Sequence, residues 1–308
     1  MCGIVGLYLK DAGLESRLGA LFEPMLLSMS DRGPDSAGFA IYGDEVAAGN
    51  IKFTLQNEDP AHDWDGLMQG LRSTLDGKLD WFRNTSAAVV KTSADETSVR
   101  DYLAAHSPDT RVMSVGRSIE ILKGVGHPRL VAERFSLSGM AGSHIIGHTR
   151  MATESAVTMS GSHPFSTGHD LCLVHNGSLS NHNQLRRELV RHGLRFETEN
   201  DSEVAAGYLT WRMREGASLS EALRSAIDDL DGFYTFTVGT RHGFAVLRDP
   251  IACKPAVLAE TEQFVAMASE YRALARLPGI ANAKVWEPEP GKVYVWEHSA
   301  RHVEETGT

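Results

Sequence analysis

An apolar run rich in β-branched residues, residues 4–9, begins only three positions after the start of the chain. Such a run reads as a buried strand, so the terminus is carried into the interior. Cys2 then stands at the mouth of that strand. If Met1 is removed, residue 2 carries a thiol and a free α-amine together. An α-amine titrates at about 7.7–8.0, close to working pH, so it could take the thiol proton and return one to a leaving group. The bland reading of Cys2 is an inert, buried cysteine; other segments must decide.

The rest of the chain alternates short strands with amphipathic helices. Residues 17–28 carry apolar side chains at helical spacing, with Pro24 expected in a first turn or at a kink. A polar loop, Asp31-Arg32-Gly33-Pro34-Asp35-Ser36-Ala37-Gly38, leads into a strand at 39–42. Residues 51–140 read as an inserted α/β subregion, with strands at 87–90 and 111–115 and helices at 64–75 and 98–105. Beyond it come a strand ending in His148-Thr149-Arg150, a strand at 171–174, and helices at 183–191, 203–214 and 219–229. Further strands follow at 234–238, 244–247, 256–258, 264–268 and 293–296. Strands, then helices, then strands predict α+β layers, a domain over residues 2–300 and a short tail at 301–308.

Composition narrows the partners. Thirty Lys and Arg against 40 Asp and Glu leave a net charge of −10, which repels phosphate backbones and anionic lipid heads. Nucleic acid and membrane are therefore not expected as partners. No run approaches the roughly 20 apolar residues that span a bilayer, and the start of the chain lacks a secretion signal, so the cytoplasm is the expected location. Cys2, Cys172 and Cys253 have no CxxC spacing, and the 13 histidines form no metal-binding pattern, so they are read as scattered. No metal or cofactor is expected on this chain. Gly124-Val125-Gly126 has Arg129 where a dinucleotide loop needs its third glycine.

Three polar segments carry candidate chemistry. His175-Asn176-Gly177 ends an apolar strand, and reads either as a tight hairpin turn or as an amide and an open backbone N–H that could hold an oxyanion. Arg150, in Gly147-His148-Thr149-Arg150-Met151-Ala152-Thr153, could form a bidentate pair with a carboxylate. In Asn200-Asp201-Ser202-Glu203, Asp201 or Ser202 reads as a helix N-cap, and Asp201 alternatively as the partner of an ammonium group. A carboxylate anchor and an ammonium anchor together would recognise a free α-amino acid.

As a set these segments, with Met1-Cys2-Gly3-Ile4-Val5-Gly6, Ser162-His163-Pro164-Phe165, Arg248-Asp249-Pro250, Lys254-Pro255, Ala268-Ser269-Glu270 and Pro290-Gly291-Lys292-Val293, resemble the class II glutamine amidotransferase domain. The resemblance implies a four-layer αββα N-terminal-nucleophile hydrolase fold. It implies that Cys2 attacks the side-chain amide of glutamine, that Asn176 and Gly177 form the oxyanion hole, and that Arg150, Thr153 and Asp201 bind the substrate. Arg32 would organise the terminus and His163 would shape a loop. Glu154 departs from the histidine of the glucosamine-phosphate-forming relatives.

No second, ammonia-consuming domain is read in the 308 residues. The chain therefore resembles a stand-alone amidotransferase subunit of glutamate-synthase-like enzymes, notably N-methylglutamate synthase. Flavin and iron–sulfur chemistry would then lie on partner chains. A catalytically silent glutamine- or glutamate-binding subunit and an amidase for penicillin- or bile-salt-like amides are the other readings; the second lacks use for both charged anchors.

Overall fold

The computed structural model describes residues 2–151 and 157–298. In chain order its main elements are β1 (Gly3–Leu9), α1 (Leu18–Leu27), β2 (Ser36–Tyr42), β3 (Ile51–Gln56), α2 (Trp64–Thr74), β4 (Leu79–Asn84), β5 (Ala87–Thr92) and α3 (Glu96–His106). Next come β6 (Arg111–Gly116), β7 (Ile119–Val125), α4 (Pro128–Arg134), β8 (His144–Arg150), β9 (Phe165–Gly168), β10 (Leu171–Leu179), α5 (His182–Arg191), α6 (Asp201–Arg214) and α7 (Leu219–Asp229). The chain closes with β11 (Gly232–Thr240), β12 (Gly243–Arg248), β13 (Val257–Glu260), β14 (Phe264–Ala268), β15 (Lys284–Trp286) and β16 (Val293–Glu297).

Alternation along β1 sets the layers, because successive side chains of a strand point to opposite faces. Val5, Leu7 and Leu9 pack outward with Leu18, Phe22 and Leu26 of α1 and Val131 of α4. Ile4 and Tyr8 face inward, in the cluster that holds Ile121 and Ile146 together with Val174, Phe244 and Val246 of a second sheet. The other face of that second sheet, through Leu173, Phe236 and Leu247, packs on Leu189, Leu209 and Leu223 of α5, α6 and α7. The order is helices, sheet, sheet, helices, the αββα arrangement. The first sheet runs β15-β13-β14-β1-β8-β2-β7 and the second β16-β12-β11-β10-β9, all paired antiparallel. β1 therefore has neighbours on both edges, β14 on one and β8 on the other.

A third sheet, β4-β5-β3-β6, buries Phe53, Leu55, Val90 and Val115 against Trp64, Met68 and Leu71 of α2 and Val99 and Leu103 of α3. Both helices start on aspartate caps: Asp63 accepts from the Gly66 N–H and Asp95 from the Ser98 N–H. The stretch expected as an insertion, 51–140, thus divides. Its first part, to Gly116, is the separate unit, whereas β7 pairs with β2 in the first sheet and α4 packs on that sheet's outer face. Pro24 sits in the second turn of α1, not the first. β4 was not legible as a strand; its burial does not alternate cleanly.

One buried cation fastens the inserted unit to the body. Lys52 of β3 is 1 % exposed, and its ammonium donates to the Ser118 carbonyl (2.6 Å) and the Glu120 carboxylate (2.9 Å) beside and on β7. Hydrogen bonds to charged groups are among the stronger ones, and removing one partner strands the other. Lys52→Ala should lower the unfolding free energy by about 2–3 kcal/mol, read by urea denaturation, with limited proteolysis cutting first within 51–116.

Candidate active site

Sheet pairing delivers the start of the chain to one place. Gly3 pairs with Thr149, the Ile4 N–H donates to Ser269 Oγ and the Ser269 N–H to the Ile4 carbonyl, both at 2.9 Å. One residue earlier, the Cys2 carbonyl accepts from Arg32 Nε at 3.0 Å and from Asn176 Nδ2 at 3.4 Å. Arg32 also pairs with Glu270 through Nη1 and Oε1 (2.5 Å), and that hydrogen bond, with Arg272 adding its charge, holds the Glu270 carboxyl below its usual range. Gly33 makes the approach of the Arg32 loop possible: a Cβ there would lie 2.3 Å from the carbonyl carbon of Thr149.

Cys2 is partly buried, Cys253 is exposed and Cys172 is buried. Burial pushes the Cys172 thiol up to about 12, which removes it as a nucleophile at neutral pH.

Asn176 and Gly177 lie inside β10, opposite Thr235 and Tyr234, and the strand continues to Leu179. The hairpin alternative is therefore not what the segment forms. Gly177 has φ +150°, and a Cβ on it would meet the Phe233 carbonyl oxygen at 2.0 Å and His175 Nε2 at 2.8 Å, so only glycine fits. At the end of β10, the Leu179 N–H donates to Asp201 Oδ2 at 2.9 Å.

Asp201 opens α6, but it is not the cap. Asn200 holds that position, accepting from the Ser202 N–H at 2.9 Å. Asp201 keeps its other oxygen toward Ser202 Oγ, 3.3 Å away, with its side chain 22 % exposed. Arg150, the last residue of β8, donates from Nη1 to the Gly161 carbonyl at 3.2 Å. Met1, Thr153 and Glu154 lie outside the described residues.

Three of the histidines read as scattered converge instead. The rings of His148 and His163 are 4.0 Å apart and those of His163 and His175 6.5 Å. His163 Nε2 and His175 Nδ1 both meet Ser202 Oγ, at 2.8 and 2.9 Å. Burial, reinforced by the neighbouring imidazoles, lowers His148 to about 3 and His163 well below its ordinary value; burial, opposed by Asp201, lowers His175 to about 4. All three rings are neutral at pH 7.

Lys123 of β7 was also missed from the sequence. Its ammonium donates to the Ser162 and Pro164 carbonyls at 2.8 and 3.3 Å and stands 4.9 Å from the centre of the Phe165 ring, so it clamps the loop that carries His163. Burial lowers it to about 8. The sequence signal for it is a lysine that follows the apolar pair Ile121-Leu122.

A cleft of about 650 Å³ runs between the inserted unit and the body, lined by Arg100, Arg111, Lys123, Phe165, Phe196 and Glu203 among others. Cys2, Arg150, Asn176, Gly177 and Asp201 do not line it. Cys2, Arg32 and Asn176 are in direct contact, and Asn176 is tied through β10 to Gly177 and Asp201. An amide donor thus meets the first residue of the fold, and a carboxylate stands at the end of the strand that carries that donor.

The buried imidazoles predict acid lability. Each has a folded pKa below its unfolded value of about 6.5, so between the two values only the unfolded chain holds the proton, and stability falls as pH drops from about 6.5 toward 4. Replacing His148 by Phe should shallow that dependence by about one proton, or about 1.4 kcal/mol per pH unit. Urea unfolding at several values between pH 4.5 and 6.5 measures the slope.

A glutamine amidotransferase domain family matches residues 148–276 of this chain. The glutamine amidotransferase-like protein GlxB of Rhizobium meliloti (strain 1021) is 58% identical over 298 residues, covering 97% of this chain and 99% of the relative. A putative glutamine amidotransferase of Methanothermobacter thermautotrophicus is 33% identical, covering 96% of this chain and 100% of the relative. Among solved structures, the glutamine phosphoribosylpyrophosphate amidotransferase of B. subtilis superposes with a TM-score of 0.61 at 20% identity, over 96% of this chain and 47% of that one, so this chain spans about half its length. That likeness concerns the fold, and it agrees with the N-terminal-nucleophile layers described above. Among the described residues no helix is long and apolar enough to cross a membrane. By its relatives of matching length, the chain belongs to the class II glutamine amidotransferase family.

Proposed function

We propose that this chain is a glutaminase subunit that works through a thioester on Cys2 and supplies ammonia to separate synthase subunits. The observation that carries the reading is the shared carbonyl of Cys2: Arg32 and Asn176 hold it from two sides, so thiol-bearing residue and amide donor are fixed relative to each other. Cys172 is removed by burial, and Asp201 lies at the end of the strand that carries the amide donor.

In this mechanism Met1 is removed and the α-amine of Cys2 takes the thiol proton. Sγ attacks the side-chain carbonyl carbon of glutamine, and Asn176 Nδ2 and the Gly177 N–H stabilise the oxyanion. The amine returns the proton to the departing nitrogen, which leaves as ammonia as the C–N bond breaks. Water then attacks the thioester, the C–S bond breaks, glutamate leaves and the thiol is restored. Arg150, with Thr153, holds the α-carboxylate and Asp201 the α-ammonium of the substrate. Arg32 fixes the terminal residue, and His163 shapes the loop beyond Arg150.

Free ammonia is protonated and lost in water, so a partner that consumes it must sit close by. The resemblance to stand-alone subunits points to a synthase such as N-methylglutamate synthase, with flavin and iron–sulfur chemistry on the partner chains and no metal or cofactor on this one.

Cys2→Ala should lower kcat for glutamine hydrolysis by at least about a thousandfold while leaving the circular dichroism spectrum and melting temperature unchanged. Unaltered turnover refutes the nucleophile. Asp201→Ala should raise KM for glutamine by about 10–100-fold, the worth of a hydrogen-bonded charge. A loss of kcat with KM unmoved contradicts the anchor. The mass of the mature N-terminus tests removal of Met1, and co-purification with identification of the bound chains tests the partner.

A further inference from the structure

Ser202 is 1 % exposed and its hydroxyl has three polar neighbours, His163 Nε2 (2.8 Å), His175 Nδ1 (2.9 Å) and Asp201 Oδ1 (3.3 Å). A hydroxyl has one hydrogen to give and two lone pairs to receive with. An ionised carboxylate can only accept, so the Ser202 hydrogen goes to Asp201. Both imidazoles must then donate into the serine oxygen, His163 from Nε2 and His175 from Nδ1. A neutral imidazole carries a single N–H, which leaves His163 Nδ1 and His175 Nε2 as bare lone pairs. Both of these atoms are among the buried polar atoms without a hydrogen-bond partner, as are the two ring nitrogens of His148. A buried acceptor left unmet is better tolerated than a buried N–H left unmet, so this assignment is the cheapest the geometry permits.

The His175 ring also lies against the candidate oxyanion site. A Cβ on Gly177 would lie 2.8 Å from His175 Nε2, so the imidazole lies against the glycine, one residue from Asn176 in the same strand. Remove the Ser202 hydroxyl and the His175 Nδ1–H still has an acceptor close by, Asp201 Oδ1 at 3.8 Å. The imidazole would then turn onto the carboxylate and compete with any cation it holds.

We propose that Ser202 is a positioning residue for glutamine binding: by collecting the N–H groups of His163 and His175 and giving its own hydrogen to Asp201, it keeps the carboxylate open to the substrate ammonium. The proposal rests on the glutaminase reading given above, and its test separates the two. In the full-length protein labelled with ¹⁵N-histidine, His175 should appear as the Nδ1–H tautomer and His163 as the Nε2–H tautomer; the opposite tautomer at either ring overturns the assignment. Ser202→Ala should raise KM for glutamine about tenfold or more with kcat held within about threefold, and Ser202→Thr, which keeps the hydroxyl, should restore KM. An unchanged KM in Ser202→Ala, or a fall in kcat in place of the rise in KM, overturns the positioning role. If the wild-type chain hydrolyses no glutamine, the glutaminase reading fails by itself, while the tautomers still decide whether Ser202 is the hub.

Discussion

The pairing of β1 on both edges is the constraint from which the candidate site follows. β14 and β8 take up its backbone as far as Val5 and Gly3, and Ser269 just beyond β14 holds Ile4, so the chain enters the fold with no freedom to slide, since a one-residue slip would turn Val5, Leu7 and Leu9 into the wrong layer. The first carbonyl beyond the strand, that of Cys2, is then fixed by two donors from different parts of the chain, Arg32 before β2 and Asn176 on β10 of the second sheet. Arg32 is itself anchored by Glu270, which follows β14. Segments of both sheets therefore converge on one peptide group, and the backbone of residue 2 is held before any substrate arrives.

How much of this was legible depends on whether the information is local. The α+β class could be read because the strand and helix periods are written in the sequence, as in the apolar run that becomes β1 and the amphipathic pattern of α7, whereas the αββα order of the layers came only from the resemblance of the motifs to a known family. The extent of the inserted unit could not: β7 is as apolar as a strand of either sheet, and only its pairing with β2, fixed by register across the fold, assigns it to the body. Asn176-Gly177 left two readings open for the same reason. The pair has hairpin chemistry, yet the strand continues through it because Tyr234 and Thr235 lie opposite and Asp201 accepts the N–H of Leu179 at its far end. The cap of α6 moved back by one residue, to Asn200, because the sequence offers adjacent residues able to cap and only the turn geometry chooses. His163 and His175 stood in motifs that were recognised, but their convergence on the Ser202 hydroxyl brings together a loop, a strand and a helix start that are separated in sequence.

The two carboxylates in the first turn of α6 show how one short motif is divided between tasks. The helix N-terminus favours negative charge at both positions, since its N–H groups and dipole point that way. Glu203 spends its charge on structure: 6 % exposed, it accepts from the N–H groups of Glu197 and Thr198 and from the Thr198 hydroxyl, and so closes the loop that leads into the helix. Asp201 receives one backbone N–H and one hydroxyl, and the His175 imidazole 3.8 Å away is neutral rather than cationic. Had that ring been protonated, it would have satisfied the carboxylate internally. The burial that keeps that ring neutral, and so weakens the fold against acid, is therefore also what keeps an internal cation away from the carboxylate at the end of β10.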